Sequence, residues 1–272
     1  MARTVVAPRN LRVAQWLTIA IVALEVLASA GGLFIPGLYR DTPWVVPQNR
    51  GQDLVTLILS PVLVVIVPAV RRGSARATMA WIGLLGYVFY TYTGAAFAFA
   101  FNRFFLIYVA LFSLSIAALV AVAGGIDAVE LQKRFDRATP RWPVLAYLAV
   151  LALMLTALWL GQIVPFFTTG TIPESIRLSG GPTMFVYVLD LGVVVPLALL
   201  AAAWLWRRLP WGYVLAGCVL IKGTTMGLAL LSMSWFAARA GILTEPGLAV
   251  IWVALAAGSL GMSFWFFRQC RG

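Results

Sequence analysis

Eight stretches of about twenty apolar residues, parted by short connections rich in Arg, Pro or Gly, leave this chain few ways to fold. They run over residues 13–34, 54–70, 79–101, 104–123, 144–166, 184–206, 211–237 and 248–267. A helix needs ~20 such residues to cross ~30 Å of hydrocarbon, where each backbone N–H and C=O must be paired inside the segment. The pattern predicts an all-α polytopic membrane bundle of eight transmembrane helices, with the lipid bilayer as its first partner. Only Asn102 and Arg103 part the third and fourth runs, so a tight helical hairpin is expected there rather than one very long helix.

Charge and composition narrow the function. The chain is 62% hydrophobic and 11% charged, with a mean hydropathy of +0.95, outside the range of soluble domains. A net charge of +11 would suggest nucleic acid in a soluble protein. Here the arginines stand at the ends of apolar runs, where they meet anionic headgroups, and no nucleic-acid partner is expected. Histidine is absent, which excludes His-ligated metal centres and His-based acid–base catalysis. Cys218 and Cys270 have no ligand spacing and read as unpaired thiols. No metal or cofactor is implied.

Orientation follows from the positive charges, because Lys and Arg in short loops stay on the cytoplasmic side. One face collects Arg3, Arg9, Arg12, Arg71, Arg72, Arg76, Lys133, Arg134, Arg137, Arg141, Arg207, Arg208, Arg268 and Arg271. The other has Arg40, Arg50, Arg103, Arg177 and Arg239. A split of fourteen to five puts both termini in the cytoplasm of a multi-pass cell (inner) membrane protein. Three arginines, an apolar run and Ala28-Ser29-Ala30 give the N-terminus the look of a secretory signal, but Glu25 interrupts the run and it continues to Phe34, so a retained helix is expected. Trp16, Trp81, Trp142, Trp211 and Trp265 at one end and Trp44, Trp159 and Trp235 at the other read as interfacial anchors.

The organisation expected is helices 1–4 in residues 1–125, a cytoplasmic connector over 126–143 with a short interfacial helix, and helices 5–8 in 144–272. The outer connections 35–53 and 168–183 hold several Pro and Gly residues and read as caps over that face. Aligned, the halves match: Asp53, Pro61 and Arg71-Arg72 against Asp190, Pro196 and Arg207-Arg208, then Trp81 and Tyr92 against Trp211 and Lys222. Four crossings per half would make this a parallel 4+4 repeat about an axis along the membrane normal; chance agreement between apolar strings is the competing reading.

The polar positions inside the runs carry what chemistry there is. Lys222 stands fourteen residues past Arg208, and Glu25 thirteen past Arg12, so at ~1.5 Å per residue both lie about 20 Å deep. Charges at helix centres cost ~2.5–3.5 kcal/mol each and mark functional sites. A Glu25–Lys222 pair is therefore the expected ligand or ion site, with Asp190, Tyr90 and Tyr92 near it; a structural ion pair is the alternative. Asp53 reads as a helix cap. Pro61 and Pro196 are the candidate helix breaks, since each frees a carbonyl at a matching depth.

Two functions of different class fit. One is a protein that binds or transports a small-molecule solute at a polar site between the halves, with Glu25 or Asp190 carrying coupled protons. The other is a non-catalytic accessory or scaffold subunit held to a membrane-protein partner. An enzyme acting on a lipid-like substrate is the weakest, being left with carboxylate or tyrosine chemistry.

Overall fold

The computed structural model describes residues 5–136, 140–242 and 246–271; Arg3 and Arg137 lie outside them. The fold is a bundle of long helices whose only extended pairings, among the described residues, are two isolated bridges. The helices are α1 (Pro8–Phe34), α2 (Val45–Val65), α3 (Val67–Arg71), α4 (Ala75–Phe97), α5 (Phe105–Ala123) and α6 (Ala128–Gln132), then α7 (Trp142–Thr169), α8 (Glu174–Ser179), α9 (Phe185–Leu189), α10 (Val195–Trp206), α11 (Pro210–Arg239) and α12 (Pro246–Arg268). A π-helical turn, Asp190–Val194, joins α9 to α10.

Local sequence explains where the helices start, stop and bend. α1, α7 and α11 begin with proline in the first turn, where its missing N–H is not needed. α7 and α8 end on glycines with left-handed φ, Gly170 at 69° and Gly180 at 70°. The Ser74 hydroxyl accepts from the Ala77 N–H and caps α4. Asn102 closes the hairpin between α4 and α5, its Oδ1 accepting from the Phe104 N–H at 2.9 Å, so the two runs are indeed two helices.

Of the two proline breaks expected, one moves. Pro61 sits inside an unbroken α2, and the interruption comes at Ile66, just ahead of Pro68. In the second half the π turn ends at Val194, two residues before Pro196. In a regular α-helix the Pro196 ring would crowd the Gly192 carbonyl and offer it no N–H; the wider turn avoids that conflict, with the Val195 N–H bonding back to the Asp190 carbonyl.

Among the described residues, seven helical segments are long and apolar enough to cross a membrane. α4 is not among them: its 23 residues include Tyr87, Tyr90, Tyr92, Thr91 and Thr93. Its place is nevertheless inside the bundle, packed on α5 and α11. Trp81, expected at an interface, is completely buried there, whereas Trp16, Trp142 and Trp235 are exposed as anchors should be. α11 is the central helix, with α2, α4, α10 and α12 around it. Two glycines let neighbours approach closely: a Cβ on Gly51 would lie 2.5 Å from Met233 Cα, and one on Gly227 2.6 Å from Ala256 Cα.

The halves share some neighbours but not all. α1 with α2 and α4 with α5 have counterparts in α7 with α10 and α11 with α12, yet α10 packs along α11 while α2 barely meets α4.

Both ends of the chain are tied to the same connector. Val6 bridges Ile126 and Cys270 bridges Phe135. The Asp127 N–H donates to the Val5 carbonyl at 2.7 Å, and the Arg271 N–H to the Arg134 carbonyl at 2.7 Å. The guanidinium of Arg76 donates to the Cys270 carbonyl, and that of Arg71 to Gln15 Oε1 at 2.6 and 3.0 Å. The connector holds the short helix expected, α6, capped by Asp127 and paired through Glu130 with Lys133 and Arg134. At the opposite end Thr42 donates to the Leu178 carbonyl and the Ala100 N–H to Asp41, which draws the other loops together.

The first outer connection is shorter than expected. α2 starts at Val45, with Pro47 in its first turn, so Asp53 lies two turns inside the helix and is no cap. Buried there, it accepts a 2.5 Å hydrogen bond from the Tyr39 hydroxyl.

Candidate functional site: a cavity around Lys222

A cavity of about 1170 Å³ opens inside the bundle toward the end opposite the termini. α2, α4, α7, α11, α12 and the 173–190 segment contribute walls, and no residue of α1, α5 or α10 does. α7, α11 and α12 bring apolar Leu155, Leu158, Leu230, Trp252 and Leu255 together with Gln162, Lys222 and Ser234; Gln48, Asn49 and Gln52 bring polarity from α2. On the inward side the Tyr147 hydroxyl and Ser259 Oγ, 2.5 Å apart, close α7 on α12.

Three of the expected site residues meet in this cavity. Lys222, half-buried, places Nζ 3.5 Å from the centroid of the Tyr90 ring. The Tyr90 hydroxyl donates to Asp190 Oδ1 at 2.9 Å. The second Asp190 oxygen accepts from Trp159 Nε1 at 2.8 Å. Asp190 is the carboxylate whose charge acts on Lys222, though the two form no direct ion pair. The Lys222 ammonium makes no hydrogen bond among the described residues.

Glu25 and Tyr92 are elsewhere. Glu25, 1% exposed on α1, accepts from Ser60 Oγ at 3.0 Å. Tyr92 is buried against Tyr108, with ring centroids 6.3 Å apart. The pairing of Glu25 with Lys222 is thus corrected: equal depth put them on one level, but they are on helices that do not pack together, since α1 contacts α2 and α5 while α11 takes α2 and α4.

A polar row links the two places. Gln52, Thr56 and Ser60 recur every fourth residue on α2 and so share one face. Gln52 lines the cavity and donates to the Tyr87 hydroxyl at 2.5 Å; Thr56 Oγ1 lies 2.9 Å from the same hydroxyl; Ser60 reaches Glu25. Sequence reasoning missed this row, although its spacing was visible. It also took Trp159 for an anchor, and nothing in the sequence distinguishes a tryptophan that turns inward to a carboxylate.

Near the mouth, Asp41 Oδ1 accepts from the Ala100 N–H at 2.9 Å, and its Oδ2 is buried without a partner. Burial raises the Asp41 carboxyl above its ordinary range, opposed by that N–H. Asn49 Nδ2, also on the cavity wall, is buried without an acceptor. Among the described residues no group of His, Cys, Asp and Glu could hold a metal.

Compared with family models, curated proteins and solved structures, the chain matched none. Its class is therefore set by its architecture alone: a multi-helix protein suited to a bilayer, with a large cavity and one lysine inside it.

Proposed function

We propose that this is an eight-crossing protein of the cell membrane, both termini cytoplasmic, which binds and carries a small-molecule ligand in the cavity around Lys222. One observation carries the reading. Four separate elements, α4, α7, the π turn and α11, deliver Tyr90, Trp159, Asp190 and Lys222 to one largely apolar cavity. An apolar pocket with a few convergent polar groups is the usual form of a ligand site. Chain ends tied to one connector support an even number of crossings, with α4 as the eighth.

The parallel 4+4 relation belongs to the same proposal, and superposing residues 8–123 on 142–268 tests it. A coupled proton is assigned to Glu25 rather than Asp190, because both Asp190 oxygens are held.

The test is a screen of solutes for those that raise the thermal stability of the purified protein, followed by flux into liposomes. Stabilisation by a ligand that Lys222→Met abolishes or alters supports the proposal. Equal responses of wild type and variant to every class of solute would end it.

A further inference from the structure

A cation is attracted to the face of an aromatic ring within ~6 Å of its centroid, and Lys222 Nζ sits at 3.5 Å from that of Tyr90. At the hydroxyl edge of the ring, Tyr90 and Trp159 fix Asp190, whose charge acts on the ammonium. A ring face with a positioned carboxylate at its hydroxyl edge is chemistry that recognises a positive charge. Lys222 supplies that charge from within the chain, and among the described residues it is held by the ring and by charge attraction, with no hydrogen bond donated.

The remaining charges on the wall point the same way. Lys222 is the one cationic side chain among the described lining residues, against Asp41, Glu174 and Asp190. Glu174 is matched by the exposed Arg177 at 3.4 Å. Asp41 keeps a buried oxygen with no partner. Trp44, Phe97, Phe185 and Trp252 add further aromatic side chains to the cavity lining.

Resting on the cavity as the ligand site, we propose that the ligand is an organic cation, an amine or quaternary ammonium with an apolar body. In the free protein Lys222 is a tethered cation occupying its site. The ligand displaces the lysine from the Tyr90 face, and Asp190 keeps a positive charge before it in both states. This predicts the opposite sign from an anion receptor: removing the lysine should strengthen binding.

Choline serves as the probe, with dimethylbutanol as its uncharged carbon isostere and benzoate as an anion, in equilibrium dialysis against the purified full-length chain. Lys222→Met is expected to bind choline about tenfold tighter than wild type, since the competing cation is gone. Dimethylbutanol should bind both alike, and adding Tyr90→Leu should remove the gain. In unmutated protein, saturating choline should speed acetylation of Lys222 relative to Lys133, the only other lysine; this assay decides the matter should Lys222→Met not fold. Choline binding no tighter to Lys222→Met, or bound choline that leaves acetylation unchanged, overturns the proposal. Benzoate binding that is lost in Lys222→Met would overturn it too, while leaving the cavity as the ligand site. If no probe or solute of any charge tells wild type from Lys222→Met, the cavity assignment itself falls.

Discussion

Adding one methyl group at Gly51 should prise apart the seam between α2 and α11. A Cβ there would lie 2.5 Å from Met233 Cα, 2.6 Å from Met233 N and 2.8 Å from the Ser232 carbonyl carbon, where ordinary contact begins at 3.4 Å. The shortfall is about 0.9 Å, and the three nearest atoms are all backbone, so no rotamer change relieves it. Overpacking of this kind costs ~1–3 kcal/mol, offset by up to ~1 kcal/mol from replacing glycine in a helix. A net loss of ~1–2 kcal/mol should lower Tm by roughly 2–8 °C for a chain of this size. The walls carried by the two helices, Gln48, Asn49 and Gln52 on one and Lys222, Met226 and Met233 on the other, would separate, so ligand binding should weaken as well. Gly86→Ala is the control, because a Cβ at Gly86 meets nothing within 4 Å. Thermal unfolding of both variants in one detergent is the assay. A Gly51→Ala protein as stable as wild type or as Gly86→Ala would show that the helices do not approach as described.

Three further outcomes are expected. In double-mutant cycles read by thermal stability, Glu25→Gln and Lys222→Met should add within ~0.5 kcal/mol because they share no partner, whereas Asp190→Asn and Lys222→Met should couple by ~0.5–3 kcal/mol; coupling of the first pair would restore the contact that the structure removes. Single cysteines at Arg40 or Arg177 should react with an impermeant thiol reagent from outside the cell, without removing Cys270, which is fully buried and whose thiol is pushed up to about 11 by burial despite Arg76 and Arg134; labelling only from the cytoplasm would invert the topology. Asp41→Asn should gain stability relative to wild type as pH rises above the unfolded carboxyl value of 3.8. The folded protein holds the Asp41 proton more tightly, so the wild-type contribution is full below that pH and is lost above it; parallel Tm profiles from pH 4 to 7 would contradict this.

The long helices were legible because hydrocarbon leaves backbone no alternative, and the α4–α5 hairpin because Asn102 and Arg103 cannot lie inside a span. Depth was legible too: Lys222, Tyr90 and Asp190 were singled out and do converge. Azimuth was not. Position along a helix follows from counting residues, but which neighbour a side chain meets depends on packing order, and so Glu25 was given to Lys222 instead of Ser60. Helix starts failed for a related reason: the first outer loop looked polar and proline-rich, yet its second half is the first two turns of α2, where proline and amide side chains are tolerated and Asp53 can turn inward to Tyr39.

The π turn at Asp190–Val194 acts as a phase shift in an otherwise regular helix. It inserts one residue beyond the α-helical repeat, so the segment before it is rotated by about 100° from where an uninterrupted helix would leave it relative to α10. With α10 locked against α7 and α11, that rotation decides where Asp190 points. Aim and chemistry at this position are thus set by different residues, Pro196 holding the angle while Asp190 supplies the charge. A chain in which the turn lost one residue could keep every side chain of the site and still present its carboxylate to the wrong neighbour.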